Sequence, residues 1–276
     1  MSVALDSHYT IGKTHLYCQD YAVHGREPLP HAILADGCSA SPNSDLGARL
    51  LVLNARRELA RFARIAGGEV ERAARHWRLG RRIARRAARQ ARDLGLDPEV
   101  LDATLLLAWC DGVAVHVHLY GDGCIATRRA GGGLEVIQVE YAENAPYYLS
   151  YLLDAERHAL YREAVGDPAV AQSIRHLSET TGVSSRRERF DAPLAFSFDL
   201  ATFPVVAVAT DGLQSFLNAE TGAWVEVLDV ARALLDFRGG DGAFVRDRAE
   251  KALREFGNRL QFNLDDLSLG AFVKVD

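Results

Sequence analysis

Short runs of hydrophobic residues that stop at turn residues recur along the chain. They cover residues 3–5, 21–24, 31–35, 104–110, 113–119, 124–128, 134–139, 205–209 and 267–273. Runs of this length between Gly, Pro, Asn or Asp residues are typical of buried strands. Asp111 and Gly112 form a tight-turn pair between two of the runs. The pattern therefore predicts many short strands, with an antiparallel meander over residues 104–139.

Apolar residues at helical spacing predict the other elements. The predicted helices cover residues 46–65, 69–94, 224–237 and 246–259, with shorter ones near 147–153 and from 213 onward. Gly67 and Gly68 separate the first two helices. Residues 173–189 are polar and are predicted to form a loop, and the segment 140–200 is a candidate for a flap that faces substrate. Since the sequence contains no repeat and no linker-like stretch, we expect residues 1–276 to form one domain.

The helix predicted at residues 69–94 carries arginines at three- and four-residue spacing, which gives it one basic face. These are Arg75, Arg78, Arg82, Arg85, Arg89 and Arg92. The face is explained either by solvated arginines whose aliphatic stems cover apolar surface, or by an acidic partner that binds there. Because the chain has a net charge of −5 and the helix is not expected to expose aromatic residues between its arginines, nucleic acid is not expected to be a partner.

Composition points to an ordinary globular protein in a reducing compartment. Of its 276 residues, 48% are hydrophobic and 25% are charged, as in most globular domains. The four cysteines form no CxxC pair, which is typical of cytosolic proteins rather than of disulfide frameworks or zinc ribbons. No apolar stretch approaches the roughly 20 residues that cross a bilayer, and residues 1–6 do not resemble a signal peptide. We therefore expect a cytoplasmic protein without a membrane partner.

Aspartates stand at the ends of three of the predicted strands. Asp36 ends the run at 31–35, Asp211 follows the run at 205–209, and Asp265 and Asp266 precede the last run. If these strands are neighbours, the carboxylates converge and repel one another by about 4 kcal/mol per close pair at a realistic dielectric. A divalent cation would remove that repulsion, and a ligand set made only of oxygens favours Mg²⁺ or Mn²⁺ over zinc. The Gly37 carbonyl group could also approach such a metal closely.

Two histidines lie two residues apart in one of the predicted strands. On a strand, His116 and His118 would point to the same face and could share a metal. No third ligand lies nearby in sequence, and the alternation with valines suits an outward polar face equally well. We interpret both, together with His76, His158 and His176, as surface or packing residues.

Short motifs along the chain resemble, in the same order, those of the metal-dependent protein phosphatases of type 2C. The motifs are Gly12, Gln19-Asp20, Ala35-Asp36-Gly37, Gly47-Ala48, Thr104-Leu105-Leu106-Leu107, Gly121-Asp122, Ala209-Thr210-Asp211-Gly212-Leu213 and Asp265-Asp266-Leu267-Ser268. Each motif is weak alone, but together they cover nearly the whole chain. The resemblance implies an α+β fold in which two mainly antiparallel sheets are flanked by helices, an α–β–β–α sandwich. It also implies hydrolysis of phosphoserine or phosphothreonine on a cytosolic protein by a metal-activated water.

The resemblance further implies a site that holds two Mn²⁺ or Mg²⁺ ions, with a third and weaker site beside them. Asp36 would bridge the two metals and Gly37 would offer its carbonyl group, while Asp211 and Asp265 would hold the other metal. Asp266 stands where the family has Asn and is the second choice for that ligand. Asp20 would bind a metal or its water, and Asp122 would help to hold the third ion.

Several residues depart from the family pattern and leave a second hypothesis open. Gln19 stands where members have Glu, and His15 stands where many have the Arg that binds substrate phosphate. His15, when protonated, or Lys13 could replace that Arg. The leading hypothesis is a phosphatase that acts on a phosphorylated protein. The alternative is a pseudophosphatase, in which the same fold serves as a regulatory binding module.

Overall fold

The computed structural model describes residues 2–62 and 69–275, and two antiparallel sheets that face each other organise them. The larger sheet has the order β1 (Ser2–Thr10), β14 (Leu267–Val275), β11 (Val205–Ala209), β6 (Gly123–Arg128), β7 (Leu134–Tyr141), β8 (Gln172–Ser178) and β9 (Gly182–Glu188). The smaller sheet has the order β10 (Leu194–Asp199), β5 (Ala114–Tyr120), β4 (Leu105–Cys110), β3 (His31–Ala35) and β2 (Tyr21–Gly25). A ribbon of β12 (Phe216–Asn218) and β13 (Gln261–Asn263) stands apart from both sheets.

Helices cover the outer faces of both sheets. The helices α1 (Ser44–Phe62) and α2 (Glu69–Asp93) pack on the smaller sheet, where Leu51 and Ile83 meet Ile33 and Leu107. On the larger sheet lie α4 (Val227–Leu234) and α5 (Phe244–Gly257), while α3 (Ala155–Ala164) lies within the segment 140–200. Short 3₁₀ turns complete the chain at Pro98–Leu101, Ala142–Asn144, Leu149–Leu153 and Asp211–Gln214. The expected α+β fold, a four-layer α–β–β–α sandwich, is confirmed.

The apolar runs of the sequence are explained by this layering. All five residues of β3 are buried, because one face of the strand meets the α1–α2 layer and the other meets the opposing sheet. Between the sheets, Leu34 and Leu106 pack with Val208 and Phe272. A strand covered on both faces needs apolar residues at successive positions rather than at alternate ones.

Two predictions about the strands are wrong. The predicted loop at 173–189 is a hairpin of β8 and β9. Its signal was hidden because β9 is an exposed edge strand with polar residues on both faces. The predicted meander is split, since β4 and β5 belong to the smaller sheet while β6 and β7 belong to the larger one. The chain crosses between the sheets at Gly121–Gly123.

Helix positions differ from the predictions mainly at their ends. The first helix begins at Ser44, and its predicted end at Gly67 and Gly68 lies outside the described residues. The helix expected from Leu213 onward is only the 3₁₀ turn Asp211–Gln214, followed directly by β12. The helix predicted over 224–237 is confined to Val227–Leu234. Across residues 2–62 and 69–275, no helix combines the length and the apolar character needed to cross a membrane.

The basic face of α2 combines internal ion pairs with exposed arginines. Arg82 and Arg86 contact the buried carboxylate of Glu58 on α1, with N–O distances of 3.0 and 3.2 Å. Arg78, Arg85 and Arg89 are exposed. Part of the face therefore fastens α2 to α1, and the acidic partner remains a prediction.

Candidate metal centre

The strands that end at the predicted aspartates belong to two different sheets. Asp36 follows β3 in the smaller sheet, whereas β11 and β14 are neighbours in the larger sheet, with Asp211 and Asp265 beside their adjoining ends. The condition that all three strands are neighbours is therefore not met by β3. The aspartates still converge across the sandwich, because the charges of Asp20, Asp211 and Asp265 lie close enough to Asp36 to raise its pKa.

Glycines allow the backbones at this end of the sandwich to touch. A Cβ atom on Gly212 would lie 1.8 Å from the Asp266 carbonyl oxygen, and one on Gly37 would lie 2.7 Å from the carbonyl oxygen of Ser44. Real Cβ atoms do not approach other atoms so closely, so only glycine fits at either position. The glycine after each aspartate is thus a packing requirement that fixes the position of the carboxylate before it.

The crossing between the sheets positions Asp122. The glycines on either side of it have left-handed backbone angles, φ +85° at Gly121 and +137° at Gly123, which side chains other than hydrogen rarely tolerate. This turn carries the chain from β5 to β6 and leaves the Asp122 carboxylate nearly buried. Burial, followed by the charge of Asp211, raises the pKa of Asp122 well above its usual value.

The Asp20 carboxylate is almost completely buried. The Thr210 hydroxyl donates a 2.8 Å hydrogen bond to its Oδ2 atom, whereas its Oδ1 atom is buried without a hydrogen-bond partner. Thr210 Oγ1 in turn accepts a hydrogen bond from the Ser268 backbone N–H at 2.8 Å, so the hydroxyl hydrogen is directed at Asp20. Burial raises the pKa of Asp20 to about 8, with smaller contributions from neighbouring carboxylates.

Asp36 and Asp211 share the same acidic surroundings. Burial and then the charge of Asp20 raise the pKa of Asp36 well above its usual value. Burial and then the charge of Asp265 raise the pKa of Asp211 to about 6, against the effect of a hydrogen bond with the Asp36 carboxyl group. The Oδ1 atom of Asp211 is also buried without a hydrogen-bond partner. This cluster therefore retains protons, or takes up a cation, at neutral pH.

Asp265 and Asp266 differ sharply in what their oxygens contact. Both oxygens of Asp266 accept backbone hydrogen bonds, from the N–H of Gly12 at 2.7 Å and of Gln19 at 2.6 Å. The Asp265 side chain is 39% exposed, and its Oδ1 atom accepts the Asp266 backbone N–H at 2.8 Å. Asp266 thus fastens the N-terminal segment to β14, and Asp265 is the carboxylate of the pair with an oxygen available to a ligand.

The residues that depart from the family pattern lie beside this pair of aspartates. His15 contacts both carboxylates, with Nε2 3.4 Å from Asp265 and Nδ1 3.1 Å from Asp266. Lys13 is exposed, with its ammonium group 5.6 Å from the centre of the Phe262 ring. The side-chain amide of Gln19 donates to Ser44 Oγ at 2.7 Å. Gln19 therefore serves as a hydrogen-bond donor within the packed loop, where a Glu would offer a carboxylate.

Sequence reasoning missed the hydroxyl groups that hold the cluster in place. Thr104 accepts a hydrogen bond from the Asp36 backbone N–H through its Oγ1 atom at 3.2 Å, and its own N–H donates to the Asp36 carbonyl oxygen at 2.8 Å. Thr210 orients Asp20 as described above. Both threonines adjoin apolar strands, so their sequence signal is that of ordinary strand residues. Only their contacts in the folded chain show that these hydroxyl groups position the aspartates.

A buried aspartate that the sequence did not suggest connects the centre to the segment 140–200. The Asp102 carboxylate accepts hydrogen bonds from Ser41 Oγ at 3.0 Å, Ser150 Oγ at 2.6 Å and Arg157 Nη2 at 2.7 Å. Ser41 lies in the loop after Gly37, whereas Ser150 and Arg157 lie within 140–200. Asp102 therefore joins the loop beside the centre to the predicted flap.

His76, His116 and His118 make packing contacts inside the fold. His116 contacts Asp111 at 2.8 Å and Ser197 at 3.0 Å, and the Nδ1 atoms of His76 and His118 lie 2.8 Å apart in the core. Burial lowers the pKa of His76 well below its usual value. The outward polar face considered for His116 and His118 is wrong, because both side chains are buried.

The carboxylate cluster fits a hard divalent cation in its chemistry. It offers only oxygen donors, and two of them, on Asp20 and Asp211, are buried without a partner. Such orphaned charged atoms are costly unless a cation or a proton meets them. Over residues 2–62 and 69–275, no three His, Cys, Asp or Glu side chains are spaced as a complete metal-binding group. A bound ion would therefore also need a backbone carbonyl group or water among its ligands.

Solved structures with a similar fold include phosphatases. PppA, described as a key regulatory component of T6SS in Pseudomonas aeruginosa, is 16% identical with a TM-score of 0.57, covering 99% of this chain and 98% of its own. The serine/threonine phosphatase Stp1 from Staphylococcus aureus is 10% identical with a TM-score of 0.58, covering 100% and 96%. The catalytic domain of the serine threonine protein phosphatase PstP, in complex with two manganese ions, is 16% identical with a TM-score of 0.55, covering 100% of both chains. These likenesses define the class of fold.

The sequence identifies the family. The model of the protein phosphatase 2C family matches residues 7–256. The chain therefore belongs to the protein phosphatase 2C family, as a divergent member. No curated protein matches it at a significant level.

Proposed function

We propose that this protein is a metal-dependent phosphatase that hydrolyses phosphoserine or phosphothreonine on a protein. The observation that carries the proposal is the cluster of Asp20, Asp36, Asp122 and Asp211, in which one oxygen of Asp20 and one of Asp211 are buried without a hydrogen-bond partner. Membership of the family and the likeness to a phosphatase with two manganese ions support it.

The proposed ligands are those that the resemblance to the family implies. Asp36 with the Gly37 carbonyl, Asp211 and Asp265 would hold two Mn²⁺ or Mg²⁺ ions, with Asp20 on a metal or its water. Asp122 would hold a third and weaker ion. Asp265 is preferred to Asp266, because backbone N–H groups already occupy both oxygens of Asp266. When bound, such ions lower the pKa of water and offset charge on a phosphoryl group.

The remaining roles belong to the protein itself. Thr210 would fix the Asp20 carboxylate through its hydroxyl hydrogen, and Thr104 would fix the backbone of Asp36. Lys13 and His15 are the proposed contacts to substrate phosphate, and Lys13 is the more exposed of the two. Asp102 would hold the segment 140–200 beside the centre as a flap.

Hydrolysis of a small aryl phosphate and of a phosphothreonine peptide tests the proposal. Each substrate is measured with Mn²⁺, with Mg²⁺ and with a chelator, for the native protein and for Asp36→Asn. We expect turnover that requires metal and that falls by at least about a hundredfold in the variant, whose circular dichroism stays native. The exposed Asp241→Asn serves as the matched control. Full activity of Asp36→Asn, or activity that survives the chelator, would refute the site.

Gln19 favours a second candidate function, a pseudophosphatase that binds and regulates a partner. Its amide group is committed to Ser44 and lies where the family has a carboxylate. Under this alternative the folded protein shows no turnover, and calorimetry detects no Mn²⁺ or Mg²⁺ binding even at high metal concentration. Metal binding together with turnover would exclude it.

A further inference from the structure

A cavity of about 310 Å³ opens beside the proposed metal centre. The proposed function assigns no ligand to it. Asp122 and Asp211 belong to the centre and also line the cavity. Glu140, Asn144 and Trp224 are among its other lining residues. Anything bound in the cavity would therefore lie close to a phosphoryl group at the metals. Its chemistry bears on which substrates the site accepts.

Trp224 is the most unusual residue of this cavity. Its side chain is 63% exposed although the residue is held in place by an antiparallel bridge to Leu217. Leu217 also pairs with Phe262 across the β12–β13 ribbon. Residues that oppose each other directly on antiparallel strands share a face, so the three form an apolar row that leads away from the cavity. Exposed aromatic side chains on a backbone held in this way are typical anchors of binding surfaces.

The cavity is acidic, because Asp122, Asp211 and Glu140 all line it. Three of its neutral side chains are already hydrogen-bonded elsewhere: Tyr141 Oη donates to Gln172 at 2.9 Å, Gln214 Nε2 to Cys124 Sγ at 3.4 Å, and Ser215 Oγ to the Gly212 carbonyl at 2.8 Å. Glu140 makes only a loose, exposed ion pair, 3.6 Å from Arg175. A carboxylate beside an exposed indole is the combination that binds a cation, through charge and through the face of the ring.

We propose that this cavity binds a basic side chain of the phosphorylated protein, with the cation over the indole of Trp224 and facing Glu140. Arginine suits the site best, because its planar guanidinium group stacks on aromatic rings. The basic residue lies one or two positions from the phosphorylated residue, since an extended chain advances only about 3.3 Å per residue and the cavity shares a wall with the centre. The part of the substrate peptide beyond this basic residue packs against the apolar row from Trp224 to Phe262. This inference rests on the proposed function.

Phosphothreonine peptides that differ at a single position test the proposal. Each of the two positions on either side of the phosphothreonine carries arginine, its neutral analogue citrulline, or glutamate, and kcat/KM is measured for the native protein, Trp224→Ala and Glu140→Gln. We expect arginine to be preferred to citrulline by about five- to tenfold at one position. Trp224→Ala should remove this preference and Glu140→Gln should reduce it, while kcat/KM for a small aryl phosphate stays within about twofold.

Two controls keep the result decisive. Leu160→Ala removes another exposed apolar side chain, on α3, and should change nothing. Trp224→Phe retains an aromatic ring and should keep part of the preference even where Trp224→Ala folds poorly. Equal rates for the arginine and citrulline peptides, or a preference unchanged in Trp224→Ala and Glu140→Gln, would overturn the proposal.

Direct binding separates this proposal from the phosphatase activity. If the native protein hydrolyses no substrate, the same peptides are titrated into it by calorimetry. Tighter binding of the arginine peptide than of the citrulline peptide, lost in Trp224→Ala, would support the basic subsite while the proposed function fails. Equal binding of both peptides would refute the subsite as well.

Discussion

Replacing Asp211 with Asn should make the metal-free protein more stable. The folded chain holds this carboxyl group with a pKa of about 6, because of burial and the charge of Asp265, against about 3.8 in the unfolded chain. A folded-state pKa above the unfolded one means that ionisation disfavours folding: the cost is absent below the unfolded pKa and complete above the folded one. For the shift of the Asp211 pKa, this destabilisation of the folded state amounts to about 3 kcal/mol at pH 7.5 and about 1 kcal/mol at pH 4.5.

Urea unfolding in the presence of a chelator measures this difference. At pH 7.5 the midpoint for Asp211→Asn should lie roughly 1 M urea above that of the native protein, and the gap should shrink at pH 4.5. The asparagine can still bond to Asp36 and keeps the shape of the site. The exposed Asp241→Asn should show no such gap. Equal or lower stability of Asp211→Asn at pH 7.5, or a gap independent of pH, would refute the electrostatic reasoning.

Three further substitutions test individual contacts. Asp265→Asn should weaken Mn²⁺ binding in calorimetry by at least about tenfold, whereas Asp266→Asn should lower the free energy of unfolding by about 1–3 kcal/mol, because its amide NH₂ would face one of the two backbone N–H groups that the carboxylate accepts; equal effects on metal binding would contradict the assignment. Gly212→Ala should cost about 1–3 kcal/mol in urea unfolding and impair activity, while Gly131→Ala, where a Cβ meets no atom within 4 Å, should cost little. Arg157→Met should lower the unfolding free energy by about 1–3 kcal/mol, since its buried partner carboxylate loses a charged donor; an unchanged urea midpoint would argue against that link to the segment 140–200.

The carboxylates could be found from the sequence because their strands are unmistakable. A fully apolar run such as 31–35 has to be buried on both faces, and the aspartate after it has to lie at a strand end. The same burial hides which strand is the neighbour, since a strand that is apolar on both faces carries no mark of its partner. This is why the sequence left open that β3 lies beside β11 and β14, whereas it faces them from the opposite sheet.

Other features depend on contacts between residues far apart in the chain. The distinction between Asp265 and Asp266 comes from backbone donors at Gly12 and Gln19, about 250 positions away. The β8–β9 hairpin was missed because β9 is polar on both faces, so it lacks the alternation that marks a half-buried strand. Asp102 gave no signal, since a single aspartate before an apolar run is usually a turn residue.

The way the centre is built explains how the fold tolerates so much buried charge. Within residues 2–62 and 69–275, Asp20, Asp36 and Asp211 are placed by backbone contacts at Gly37 and Gly212 and by the hydroxyl groups of Thr104 and Thr210 rather than by ion pairs. An internal lysine or arginine would relieve the repulsion but would occupy the oxygens that a cation needs. The apolar layers between and outside the sheets therefore offset the cost of burying these carboxylates. Their unpaired oxygens stay available to a cation at the end of the sandwich. Stability and ligand affinity are in this way opposed at one site, and Asp211→Asn should raise the first while it lowers the second.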